Sequence, residues 1–277
     1  MALPKNNISS NDELTNIELS IQISLSGLSF CILDRYLNTI TTLKDIFFDK
    51  RLNPLEVLDH LKLQFENENI LENLSFSNVC VIHDNDLSTL IPTPLFDENC
   101  LADYLKFNSK ILKSDFITYD SILLNDSVNV YVPYININNF IYDQFGSFTF
   151  KHVSTVLISE ILNIEKNADT TKVYVNVSKT HFEIIIVKKS KLLLYNSFIY
   201  NTKEDFIYYI LFTIEQLKLN PEILDLVFIG DITNDSEVYS ITYKYIRNIS
   251  FGNRHDVFKF NESPSTNHSN FTLIKSF

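Results

Sequence analysis

Apolar and polar positions follow two periods along this chain. Residues 17–25 (IELSIQISL) alternate strictly, and apolar runs recur at 28–34 (LSFCILD) and 39–48 (TITTLKDIFF). This pattern predicts three strands, with Ser26-Gly27 turning between the first two. Asn53-Pro54-Leu55-Glu56 then starts a helix: Asn caps it, Pro fits its first position, and Glu stands third. Leu55, Leu58, Leu61 and Phe65 follow at helical spacing. Residues 77–83 (SNVCVIH) read as a buried strand. Pro92 and Pro94 break the chain, and Asp97 caps a helix carrying Leu101, Tyr104 and Leu105. Strands are expected at 115–124 and 128–134. A short helix from about Asn138 to a Gly146 cap follows, then a helix at 152–166, and NADTTK (167–172) reads as a linker.

The pattern then starts again. Residues 172–178, 181–188 and 191–200 form three strands, and Thr202 caps a helix with Asp205 at its third position. A strand at 224–230 and a helix capped by Asp235 or Ser236 come next. Closing strands are expected at 248–253 and in NFTLIKSF at the C-terminus. Both halves therefore read β-β-β-α-β-α, and the spacings agree: 29 residues from Ser24 to Asn53, and 26 from Asn176 to Thr202. The expected class is α/β with a duplicated unit, in which helices cross between strands of a mixed sheet. The division expected is a loose polar segment at 1–16, a first lobe with extra strands and helices at 17–166, and a second lobe at 167–277.

Composition narrows the function. With 277 residues and 45% hydrophobic content, the chain can bury a large core. Its longest apolar run, 206–214, is far short of the roughly 18–20 residues of a membrane span, and the N-terminus has no apolar signal core. Cys31, Cys80 and Cys100 form no C-x-x-C pair, which fits a reducing, cytoplasmic setting. The net charge of −11 is uneven. Residues 1–170 carry 11 Lys/Arg against 23 Asp/Glu (−12), and residues 171–277 carry 12 against 11 (+1). The acidic half would repel a phosphate backbone, so no nucleic-acid partner is expected. The one basic knot, Lys188-Lys189-Ser190-Lys191, falls at an expected turn.

A duplicated unit of this order resembles the actin-like ATPase superfamily of actin, heat-shock chaperones and sugar kinases. It is more similar still to the actin-like scaffold proteins of type IV pilus and type II secretion systems. The stretch STLIPTPLFDENCLADYLKFN (88–108) followed by VNVYVPY resembles an uncharacterised bacterial family with a degenerate form of that fold. The resemblance implies a ribonuclease H-like, two-lobed fold with a central cleft. In the superfamily, each half opens with a hairpin bearing Asp-x-Gly over a phosphate. Here Ser24 and Ser26 stand at those places in the first half, and Asn176 and Ser178 in the second; Gly27 comes one residue late. The adenosine-side Gly-Gly pair reads Gly230-Asp231. The chain has only four glycines, whereas a phosphate cradle needs several bare backbone amides. The hairpin VYVNVSKTHFEIIIV is thus expected to keep the fold and lack the phosphate chemistry. An ordinary hairpin in an unrelated fold is the plainer alternative.

Outside that resemblance, His83-Asp84-Asn85-Asp86 is the one dense His/acid cluster and reads as a polar loop; His60 is the single upstream His that could join it in a metal site. Cys31 and Cys80 lie in apolar strands, as inert packing residues do. Asp34 and Asp120 end or interrupt strands, and Asp34 is the first choice for a catalytic base if there is one. Tyr208, Tyr209, Phe212, Tyr239, Tyr243 and Tyr245 read as core or helix-surface aromatics, some of them fit for an interface. The expectation is a non-enzymatic scaffold that holds a protein partner, with no cofactor and no metal. The alternatives are an ATP-binding phosphotransferase or ATPase with a divergent site, and a small-ligand module in the cleft.

Overall fold

The computed structural model describes residues 16–67 and 75–277. Apart from Asn16, the polar segment expected at the N-terminus lies outside them. The first half runs β1 (Ile17–Ser24), β2 (Gly27–Asp34), β3 (Thr39–Phe47), α1 (Pro54–Asn67) and β4 (Asn78–Asp84). An insertion follows, with β5 (Ser88–Pro92), α2 (Leu101–Leu105), β6 (Thr118–Ile122), β7 (Ser127–Tyr131) and α3 (Ile135–Phe145). Then come β8 (Thr149–His152) and α4 (Val153–Ile164). The second half runs β9 (Thr171–Val177), β10 (His181–Lys188), β11 (Lys191–Ile199), α5 (Lys203–Gln216), β12 (Asp225–Gly230), α6 (Glu237–Thr242) and β13 (Asn248–Phe251). It closes with β14 (Lys259–Phe260) and α7 (Phe271–Ile274).

The two large sheets have one plan. The first has the order β14-β3-β2-β1-β4-β8 and the second β11-β10-β9-β12-β13. In each, three antiparallel strands lead to two parallel ones, β1–β4–β8 and β9–β12–β13. Each has a register shift where its second strand pairs with its third, after Ile32 and after Ile186. The insertion adds a small sheet of order β5-β7-β6.

The continuous apolar run of β10 has a physical reason: both of its faces are covered. Ile184 and Ile186 point into a core with Phe206 and Ile210 of α5, while Ile185 and Val187 meet Val153, Leu157 and Ile161 of α4. The α4 core also takes Ile82 from the first sheet and Val227 and Ile229 from the second, so α4 is packed between the two sheets. Both expected helix starts carry reciprocal caps. Leu55 and Glu56 amides donate to Asn53 Oδ1 (2.9 and 3.1 Å), and the Asn53 amide donates to Glu56 Oε2 (2.9 Å). Thr202 and Asp205 do the same for α5.

Several expectations differ from the structure. The C-terminal NFTLIKSF is helical rather than extended. Asn270 turns the chain with φ of 49°, and four consecutive residues, Phe271 to Ile274, are buried, which one-sided strand packing does not allow. The strand expected at 115–124 is shorter, and β5 forms although Pro92 is its last residue. That proline fits because it ends the strand at the edge of the small sheet. The four-residue β8 was not expected; it pairs with β4 and takes in His152, the first residue of the helix expected at 152–166. The tail after β13 returns to the first sheet: β14 pairs with β3, and Leu273 and Ile274 share a core with Cys31, Leu33 and Ile40.

Candidate functional site in the cleft between the lobes

The parallel first and fourth strands of each sheet end on the same cleft. The β1–β2 and β9–β10 turns, the end of β12, the end of β3 and the tail around Ser269–Leu273 enclose a cavity of about 290 Å³. Ser24, Ser26, Asn176, Ser178, Gly230 and Asp231 all line it.

Their polar groups are largely spent on one another. Ser24 Oγ donates to the Gly27 carbonyl (3.1 Å) and accepts from the Ser26 amide (3.2 Å), which commits the hydroxyl to its own turn. Ser26 is buried, and its carbonyl accepts from the Phe48 amide at 2.9 Å. Gly27 is needed for packing: a Cβ there would lie 2.5 Å from the Ile46 carbonyl oxygen of β3. Asn176 is buried and its Nδ2 donates to Glu183 Oε2 at 2.9 Å. The Ser178 amide closes the turn onto the His181 carbonyl (2.9 Å). Gly230, with φ of +84°, lies so close to this hairpin that a Cβ would sit 2.4 Å from the Val177 carbonyl oxygen. Its amide donates to the His268 carbonyl (2.9 Å), and the Asp231 amide donates to that of Val177 (2.7 Å).

The cavity is acidic. Among the described residues Asp45, Asp84 and Asp231 line it, with Lys179 as the one lining cation. Burial and the neighbouring Asp45 push the Asp231 carboxyl up, and Lys179 offsets them in part.

Beside the cavity, three side chains join the lobes. Asp84 ends β4, His181 begins β10, and Glu183 lies two residues into β10. His181 Nε2 is 3.0 Å from Asp84 Oδ1 and 3.2 Å from Glu183 Oε1. Burial works against a charge on His181, but the two carboxylates outweigh it and raise its pKa well above the ordinary value. Gln22 Nε2 donates to Asp84 Oδ2 at 3.1 Å. Lys179 Nζ reaches the Phe48 carbonyl, and Asn270 Nδ2 reaches both Asp45 oxygens at 2.9 Å, adding two further links.

The tetrad at 83–86 is thus not a loop throughout: His83 and Asp84 are buried strand residues. His83 Nε2 meets Asn138 Oδ1 at 2.9 Å, and its Nδ1 accepts from the Tyr134 amide. His152, its partner across β4 and β8, receives the Ser154 amide on Nδ1 and donates from Nε2 to the Asn85 carbonyl. Burial lowers these imidazoles to about 3 and about 4. His60 packs at a 38° tilt against Phe48, with the ring centres 4.8 Å apart. Asp34 lies at the opposite end of its hairpin from Ser24, and accepts from the Leu37 amide (2.9 Å); it faces no cleft. Asp120 receives the His152 amide (2.9 Å) and the Thr155 hydroxyl (2.7 Å), which holds the start of α4. Cys31 and Cys80 are buried with thiols pushed up by desolvation, and Cys100 is partly exposed. Tyr208, Phe212, Tyr243 and Tyr245 are exposed, whereas Tyr209 and Tyr239 pack on the second core. Sequence reasoning missed His181, Glu183 and Gln22. Glu183 had a signal, a polar residue inside the apolar strand HFEIIIV; His181, at the start of that strand, and Gln22, at a polar position of a strictly alternating strand, had none.

Two lobes on one strand plan, with both first hairpins facing a shared cleft, define the actin-like ATPase fold. A Bacteroides thetaiotaomicron protein with an actin-like ATPase fold and unknown function superposes with a TM-score of 0.77 at 24% identity, over 88% of this chain and 94% of that one. A chain of the PilM–PilN type IV pilus biogenesis complex superposes with a TM-score of 0.58 at 10% identity, over 94% and 97%. Residues 6–249 match the family described as protein of unknown function (DUF3822), and the chain belongs to that family. No curated protein matches. Among the described residues, no helix is long and apolar enough to cross a membrane.

Proposed function

We propose that this protein is a non-enzymatic actin-like scaffold that holds a protein partner, with lobes at 17–166 and 167–277 and a nucleotide site that has lost its chemistry. The observation that carries this reading is the lining of the cleft cavity: among the described residues three carboxylates and one lysine line it, and the Ser24 and Asn176 side chains are bonded within their own hairpins. A nucleotide's phosphates would meet repulsion there, and few bare backbone amides. The fold-level likeness to a chain of the PilM–PilN complex supports a partner-binding role. A partner of the acidic first lobe would present a basic surface, and its association rate would fall with salt.

The test is a melting scan of the full chain with millimolar Mg-ATP, ADP and GTP. A nucleotide at about 100 times its dissociation constant stabilises a protein by roughly 2.7 kcal/mol. No shift is expected. A rise of several degrees with any of the three would overturn the reading in favour of a nucleotide-binding enzyme.

A further inference from the structure

The cluster that joins the lobes has the donors, the geometry and the charge of a metal site. We propose that Asp84, His181 and Glu183 bind one divalent transition-metal ion of the zinc type, which ties the two lobes together across the cleft. His181 Nε2, Asp84 Oδ1 and Glu183 Oε1 all lie within 4.8 Å of one another. The nitrogen is 3.0 and 3.2 Å from the two oxygens. Donors each about 2.0–2.2 Å from a shared zinc ion stand at roughly this separation, so small side-chain movements seat the ion.

The outer oxygens are already held. Gln22 Nε2 binds Asp84 Oδ2, and Gln22 is itself fixed by the Thr272 hydroxyl. Asn176 Nδ2 binds Glu183 Oε2. Each carboxylate is thus oriented by an amide on its far oxygen and aims its near oxygen at His181, the outer arrangement that orients metal ligands.

Charge argues in the same direction. Asp84 and Glu183 are 5% and 1% exposed. One imidazolium leaves this pair with a net charge of −1, which is costly in a buried site. A dication with a neutral imidazole brings the cluster to zero. One imidazole with two carboxylates suits zinc better than magnesium, which takes oxygen ligands and keeps its water. Three protein ligands leave a position open. The Tyr195 hydroxyl, buried with no hydrogen-bond partner among the described residues, is on the same sheet face as Glu183, since Tyr195 pairs with Ile185. It could serve a water on that open position.

The experiment is calorimetric titration of chelator-treated full chain with zinc chloride. The expected result is one zinc per chain, bound at micromolar concentration or tighter. Magnesium should give no comparable signal. Glu183→Gln, which keeps the side-chain shape, should weaken binding at least tenfold, and His181→Ala should abolish it. Should His181→Ala fail to fold, Glu183→Gln and zinc-edge X-ray absorption of the native protein decide the matter, the latter expected to show nitrogen and oxygen ligands only. Binding weaker than millimolar, binding undiminished in Glu183→Gln, or sulfur in the zinc shell would each overturn the proposal. It does not rest on the scaffold reading, because nucleotide shifts are measured without zinc.

Discussion

Replacing Gly230 by Ala tests the contact that closes β12 onto the β9–β10 hairpin. Two costs follow from the structure. The φ of +84° is one that a side chain disfavours by roughly 1–2 kcal/mol. The added methyl would also lie 2.4 Å from the Val177 carbonyl oxygen, 2.9 Å from the Val177 nitrogen and 2.7 Å from Asn176 Oδ1. Two of those three atoms are backbone, so the hairpin itself must shift, an overpacking cost of roughly 1–3 kcal/mol. The sum is about 2–5 kcal/mol. Gly146 supplies the control: its φ is +74°, but no atom of the described residues lies within 4 Å of where its Cβ would be. Gly146→Ala should therefore lose the conformational part alone. Urea unfolding of both variants and the parent measures the difference. Equal losses at the two positions would refute the view that the close approach to the hairpin, rather than the backbone angle, requires glycine at 230.

Two further outcomes are expected. Arg254 is fully buried, pairs with both Asp256 oxygens at 2.9 Å, and donates to the Thr266 and Ser269 carbonyls. Arg254→Ala should cost about 3–5 kcal/mol in urea unfolding and speed hydrogen exchange across 265–274; a loss below about 1 kcal/mol would count against this reading. Acidification should destabilise the fold through His83, His152 and His268, whose folded pKa values burial depresses. The unfolded chain takes up protons below about pH 6.5 that these folded imidazoles refuse, so this contribution is complete above that pH and falls as the pH drops. For His152, held at about 4, the loss from pH 7 to 5 is about 2 kcal/mol. His181, with its raised value, acts in the opposite sense. His152→Asn should give a shallower decline in urea titrations at pH 7, 6 and 5, and an unchanged slope would refute the assignment.

The parts of the fold that were legible in the sequence are those governed by local chemistry. Asn53 and Thr202 announce their helices because a cap needs only residues three positions apart. The strands from Thr171 to Ile199 stand out because their apolar runs are bounded by polar turns. In contrast, the tail residues 271–274 carry a short run that suits strand or helix equally, and it is the turn at Asn270, with φ of 49°, that sets them into a helix. In the cleft, the positions of Ser24 and Asn176 could be anticipated because each hairpin opens its repeat. The Asp84–His181 link could not: it spans 97 residues and depends on how the lobes sit against each other. Glu183 was visible as an anomaly in an apolar strand, but its partner was not.

The return of the tail to the first sheet sets an order on biosynthesis. Leu273 and Ile274 complete a core with Cys31, Leu33 and Ile40, and β14 supplies the strand beside β3. A ribosome that has finished α4 at Ile164 has 107 residues to add before it reaches Phe271, about 5–20 s at typical elongation rates. During that interval the face around Cys31 and Leu33 lacks its cover. The N-terminal lobe, made first, is therefore the one that finishes last.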